Sequence, residues 1–269
     1  MLRVEISALY SYPVKSCAAV SLAKTRLVDH GLEHDRAWVI VNKDMKVLTQ
    51  RDYARMALIR PSVSEDGTLT LHAPGCSPHA IPTITEAKAH QQIEVWGNAC
   101  AGYDQGEDAA RWLGDFLNAE CRLLRHDKSS LRQTKQTRSD GSKGSLTFVD
   151  SCPLLVVSEE SLEDLNQRAS QHVHMDRFRP SIVIKGLGPY AEDKIKRLTI
   201  NGLSLNAAKP CARCVITTID QTKGVLDSAE PLRTLSTFRK DGEKVNFGHY
   251  FTLEGSGHLS VGDTMAADF

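Results

Sequence analysis

The chain has 269 residues, enough for one large or two modest domains, and 41% of them are hydrophobic, enough for a substantial core. Lys and Arg together number 33, as do Asp and Glu, so the net charge argues against general nucleic-acid or acidic-membrane binding. Seven cysteines, an odd number, suit reduced thiols in a cytosol better than a disulfide framework, so the expected location is cytoplasmic.

The stretch from Met1 to Ile6 alternates polar and apolar residues, and it has no apolar run long enough for a signal peptide or membrane helix. Residues 2–8 read as an opening strand with Leu2, Val4 and Ile6 on one face. Pro13 ends it, and Lys15 and Ser16 then offer a cation and a hydroxyl side by side, although a lysine in a turn is most often simply solvated. His34–Val41 reads as a strand headed by Asp35-Arg36, a neighbouring pair that usually forms a local ion pair. Lys46–Arg51 follows a turn at Asn42-Lys43-Asp44. Between 55 and 100 come the short runs Ala57–Ile59, Leu69–Leu71 and Ile93–Trp96, separated by Pro, Gly and Ser, a spacing that predicts a barrel-like sheet.

Residues 106–118 form the clearest helix, with Ala109, Trp112, Leu113, Phe116 and Leu117 on one apolar stripe and Glu107 and Asp108 suited to its N-terminus. Residues 122–145 are rich in Arg and Lys, poor in apolar residues, and punctuated by Gly141 and Gly144; they read as a basic linker, either solvated or closing over an anion. Leu154–Val157 reads as a strand, and Ser158 as the cap of a helix through Asn166. Ile182–Ile184 is a further strand, and Asn201-Gly202 between Arg197–Ile200 and Leu203–Leu205 is a two-residue hairpin signal. Cys211 and Cys214 then lie three residues apart, ahead of the β-branched run Val215–Ile219, which predicts a strand. Such a Cys-Ala-Arg-Cys segment alone can be half a zinc site, a dithiol pair, or neither.

Seen together, several motifs resemble the MOSC family, the molybdenum cofactor sulfurase C-terminal domain, in the branch that includes the mitochondrial amidoxime-reducing components and their bacterial relatives. They are Tyr12-Pro13-Val14-Lys15-Ser16-Cys17, Asp35-Arg36, Asp150-Ser151-Cys152-Pro153, Arg177-Phe178-Arg179-Pro180, Lys209–Cys214 and Phe247–Phe251. The resemblance implies a mainly β chain with some α: an N-terminal MOSC-associated β-barrel domain over 1–122 and a C-terminal MOSC β-barrel domain over 123–269, with 123–145 as the basic linker and strands open to exchange between barrels. It implies molybdenum cofactor (Mo-molybdopterin) as the prosthetic group and Cys214 as the molybdenum ligand and catalytic centre. Lys15 and Ser16 would hold the pterin phosphate, Arg36 would face the cofactor, and Ser151, Arg179 and Tyr250 match residues near it. Arg213 would favour the Cys214 thiolate, which is the ligating form. Arg51 would line the entrance, and Asp150 carries an acid group where it could assist protonation.

The activity this implies is reduction of N-hydroxylated small molecules, such as amidoximes, hydroxylamines or hydroxylated base analogues, to the amine or imine plus water. No four cysteines stand at iron–sulfur spacing, so electrons would come from a separate donor protein, a flavoprotein reductase or a ferredoxin-like one. No nucleic-acid or membrane partner is expected. Two other readings stay open: a cofactor carrier without turnover, and a sulfur-transfer protein carrying a persulfide on Cys211 or Cys214.

Overall fold

A computed structural model describes residues 2–86, 89–138 and 141–269, so Met1 and residues 139–140 of the basic segment lie outside the described residues. Strands outweigh helices, 44% against 17%, which is the mainly β, some α class that the sequence indicates. The opening strand, β1 (Leu2–Ser11), is built into a sheet whose other members, apart from the short strand Val20–Leu22 beside it, come from residues 154–268. The first half contributes β2 (Trp38–Asn42), β3 (His90–Val95), β4 (Asn98–Asp104), α1 (Glu107–Leu117) and β5 (Cys121–His126). After the hairpin of β6 (Arg132–Thr137) and β7 (Lys143–Leu146) come β8 (Leu154–Ser158), α2 (Glu159–Arg168), β9 (Ile182–Lys185), β10 (Arg197–Ile200), β11 (Leu203–Ala212), β12 (Lys244–Glu254) and β13 (Thr264–Asp268).

Seven strands close a barrel in the order β8-β9-β1-β13-β10-β11-β12, and β12 pairs back onto β8. All neighbours are antiparallel except β8 and β9, which are parallel and joined by α2 as a crossover. Ser158 caps α2 by accepting the Ser161 amide at 3.1 Å. Alternation fills the barrel: Val4 and Ile6 point inward, a bulge between Ile6 and Ala8 shifts the phase, and Leu9 is the next buried residue. Leu154, Val156, Ile182, Ile184, Leu205, Phe251 and Leu253 complete the same core. Asn201 and Gly202 both adopt positive φ (49° and 78°), so the hairpin turn forms as its sequence indicates.

The second body is a four-stranded sheet in the order β2-β5-β4-β3. β2 is buried on both faces, with Trp38 and Ile40 against α1 and its neighbours, and Val39 and Val41 against Ile93, Val95, Leu124 and Phe148. The α1 stripe buries Ala109, Leu113, Phe116 and Leu117.

Three local expectations are corrected. Ala57–Ile59 is not a strand, because Ala54–Leu58 winds into a 3-10 turn that buries Met56 and Ala57. Val215–Ile219 is not a strand: Val215–Thr218 is a 3-10 turn, since Thr217 returns its amide and hydroxyl to the Cys214 carbonyl and Thr218 its hydroxyl to Val215. The described part of 122–145 is not a linker loop but β5, a 3-10 turn and the β6–β7 hairpin. Three of its cations have partners elsewhere in the fold. Arg122 pairs with Asp104 and Glu107, Arg132 donates to the Thr147 and Val149 carbonyls, and Arg138 pairs with Asp29.

Candidate active site

Loops from both bodies meet over one cavity of about 120 Å³, which opens into a groove of about 990 Å³ sharing Arg51, Asp150, Ala212, Cys214 and Tyr250 with it. The cavity is lined by Lys15, Ser16, Arg36, Asp150, Arg179, Arg213, Cys214 and Tyr250, all singled out in the sequence, and by Arg51 and Arg177. Ser151 lines the adjoining groove instead. Cys152, quoted above only as part of a motif, also faces the cavity.

Cys214 sits half-buried where β11 gives way to the 3-10 turn, with φ −133° and ψ 179°. Its Sγ lines both the cavity and the groove and accepts a hydrogen bond from Arg51 Nη2 at 3.0 Å. Arg51 is therefore more than an entrance residue. Its loop is held by Asp52, which accepts from the Thr49 amide and hydroxyl, and by Gln50, which donates to the Ser16 carbonyl at 2.8 Å and exchanges amide bonds with Gln221. One glutamine thereby ties the Lys15 loop, the Arg51 loop and the segment after Cys214 together. Cys211, by contrast, is buried at the end of β11, and burial pushes its thiol pKa up.

Among the described residues, six cations face the cavity and Asp150 is the one acid lining it. Lys15 Nζ donates to the Phe148 carbonyl at 2.7 Å and pairs with Asp150, which also accepts the Trp96 indole N–H at 2.9 Å. Burial opposes ionisation of Asp150, but the Lys15 charge and these hydrogen bonds outweigh it and hold its carboxyl well below the usual carboxylate range. Arg36 pairs with buried Asp35, itself fixed by the Tyr12 amide at 2.7 Å. Arg36 and Arg179 both lie 4.2 Å from the Tyr12 ring centroid. Arg177 pairs with Asp227 at 2.7 Å.

Two of the cations keep donor capacity turned to the cavity. Among the described residues, no carboxylate or carbonyl pairs with the Arg179 side chain, and burial lowers its pKa. Arg213 donates Nε to the Phe247 carbonyl and Nη1 to the Phe178 carbonyl, both at 2.8 Å, yet its buried Nη2 has no partner. Unpaired buried cations are costly. A cavity that keeps them beside one reachable thiol fits an anionic group that also takes a soft sulfur ligand. The backbone tells the same story, since Ser16, Arg36 and Arg179 are all left-handed (φ 65°, 46° and 53°), a conformation costing about 1–2 kcal/mol for a residue with a Cβ. Among the described residues no group of three His, Cys, Asp or Glu side chains is placed to hold a metal ion, so the zinc reading of the two cysteines lacks its further ligands.

Sequence reasoning missed Arg177 and Trp96. Arg177 was visible only as part of a motif. Trp96 precedes Gly97 between two runs that pair as β3 and β4, so a hairpin tip was readable there, but not the surface it leans over.

Comparison with known proteins bears on this cavity. The MOSC N-terminal beta barrel domain matches residues 3–120 and the MOSC domain residues 143–266. Mitochondrial amidoxime-reducing component 1 of Mus musculus is 37% identical, over 97% of this chain and 81% of its own length. The Homo sapiens protein of that name is 34% identical, over 97% and 82%. Molybdenum cofactor sulfurase of Oryza sativa subsp. japonica is 31% identical over 93% of this chain but 33% of its own length. The cytoplasmic expectation is overturned, because the amidoxime-reducing relatives are mitochondrial. Among the described residues no helix is long and apolar enough to cross a membrane.

Proposed function

The chain belongs to the MOSC family, with an N-terminal MOSC β-barrel domain ahead of the MOSC domain, and on that premise we propose that it is a molybdenum-cofactor-dependent reductase of N-hydroxylated compounds. Relatives named for amidoxime reduction and for molybdenum cofactor sulfuration tie this family to oxidoreduction and to that cofactor. The observation that carries the finer reading is the Cys214 sulfur, facing a cavity with six cations and one acid and held by Arg51 at 3.0 Å.

In this reading Cys214 is the protein's sulfur ligand to molybdenum. Lys15, Ser16, Arg36 and Arg179 hold the anionic end of the cofactor, and the free Nη2 of Arg213 donates to it. Bound there, the cofactor would supply two-electron redox chemistry to the substrate's N–O group. The reaction consumes two electrons and two protons and releases the N–H compound and water. Asp150 is held ionised by Lys15, so it serves as counter-ion and acceptor rather than as the proton donor its acid group suggests. Tyr250, whose phenol is kept protonated by burial and by its neighbours Cys211 and Asp150, stands on the same wall as a hydrogen-bond donor. Electrons come from a separate donor protein, and the proposed division remains an N-terminal domain over 1–122 and a MOSC domain over 123–269.

Molybdenum analysis of protein made with ample cofactor, alongside anaerobic reduction of benzamidoxime by a chemical donor, tests this. Wild type should hold the metal and turn over, and Cys214→Ala should lose both. Metal-loaded wild type without turnover would count against the reductase and leave a carrier. A second reading, sulfur transfer, draws on the sulfurase relative and on the second thiol, Cys211, that lines the cavity. It requires cyanide-releasable sulfur on purified protein that holds no molybdenum.

A further inference from the structure

Trp96 is out of place by every local rule. It occupies the first position of the two-residue turn between β3 and β4, with φ 54°, followed by Gly97 at φ 75°. That turn calls for Asn, Asp or Gly, and a bulky side chain there is strained. Nor does burial compensate, because Trp96 is 60% exposed. What it does is lean over the cavity mouth. Its indole N–H holds Asp150 at 2.9 Å, and the Arg51 guanidinium lies 5.4 Å from its ring centroid while bonding the Cys214 sulfur at 3.0 Å. A second groove of about 980 Å³ starts beside it, walled on one side by Met45, Val47 and Val95, and shares Lys15 and Arg51 with the cavity.

We propose that Trp96 is a specificity-determining platform: its exposed indole face stacks the planar aromatic body of an N-hydroxylated substrate whose polar end reaches toward Cys214. This rests on the reductase reading and adds the substrate class. Asp150 anchors the indole edge and the Arg51 guanidinium lies over one ring face, so the opposite face of the exposed indole is the one left open to a ligand. Strain retained at an exposed position is the usual mark of a residue kept for binding rather than folding.

Two variants separate stacking from folding. Trp96→Asn suits the left-handed turn and should leave thermal stability equal or higher. Trp96→Phe keeps a ring face and loses the bond to Asp150. The ratio of kcat/KM for benzamidoxime to that for hydroxylamine should fall three- to tenfold in Trp96→Asn, mainly through KM, and less than twofold in Trp96→Phe. An unchanged ratio in Trp96→Asn, or a loss that follows molybdenum content in both variants, overturns the proposal. Calorimetric titration of benzamidoxime into the isolated proteins, without electron donor, distinguishes the two levels of inference. If wild type binds without turnover and Trp96→Asn binds more weakly, the platform stands and the reductase reading falls; if wild type does not bind benzamidoxime, the platform falls.

Discussion

Replacing Gly248 by alanine probes the wall that seats Arg213. Gly248 lies in β12 with φ 74°, where an added Cβ would meet Val157 Cγ2 at 2.6 Å, the Val156 carbonyl oxygen at 2.8 Å and Arg213 Nη2 at 3.3 Å. Positive φ alone costs alanine about 1–2 kcal/mol. Forcing a methyl against a buried barrel strand adds about 1–3 kcal/mol, because Val157 and the Val156 backbone belong to β8, paired on both sides, and cannot retreat cheaply. The sum, about 2–5 kcal/mol, is a large part of a typical total stability of about 5–15 kcal/mol. Gly242→Ala supplies the control: its φ is 55° and nothing lies within 4 Å of the added Cβ, so only the conformational part remains. Guanidinium denaturation should place Gly248→Ala at least about 1 kcal/mol below Gly242→Ala at unchanged slope. The variant should also hold less molybdenum per chain, since the alanine methyl crowds the one Arg213 nitrogen left free. Equal midpoints for the two variants would refute the argument that this glycine is required by close approach.

Three further outcomes are expected. Arg179→Met should leave the cofactor-free protein equal or higher in denaturation midpoint, because it removes a half-buried cation that lacks a carboxylate, while molybdenum content falls at least fivefold. His126 is buried and its pKa is pushed down from 6.5 to about 4 by burial, then by His30 and Arg125, so the unfolded chain binds the proton that the folded one refuses. Stability should therefore fall as pH drops from about 6.5 toward 4, by up to about 3 kcal/mol, and His126→Phe should flatten that dependence in denaturation midpoints measured at pH 7 and 5. Cys211→Ala should keep its molybdenum where Cys214→Ala loses it, since the Cys211 thiol is buried with a raised pKa and only Cys214 opens to the groove.

Much of the architecture was legible because the signals were local. The stripe of α1, the Ser158 cap and the Asn201-Gly202 turn depend on neighbours a few residues away and formed as read, while β1 formed with Val4 and Ile6 inward but runs on to Ser11 through a bulge and leaves Leu2 exposed. The failures have a common cause. The run Val215–Ile219 has the side chains of a strand, yet threonine hydroxyls that bond back to Cys214 and Val215 satisfy the carbonyls a sheet would have used. The basic segment after Arg122 looked like an unpaired linker because its acceptors, Asp104, Asp29 and the Thr147 and Val149 carbonyls, are distant or backbone and carry no sequence mark.

The sequence by itself determined many of the elements, the single reachable thiol segment and a set of cations at family positions. Only the tertiary structure decided that they form one site. Arg51 and the Cys214 sulfur are 163 residues apart in the chain and 3.0 Å apart in space, and Lys15 meets Asp150 across 135 residues. Such meetings follow from closing the barrel through β1 and from docking the β2–β5 sheet against it. Closure is set by burial summed over the whole core, a quantity that no local stretch of residues contains.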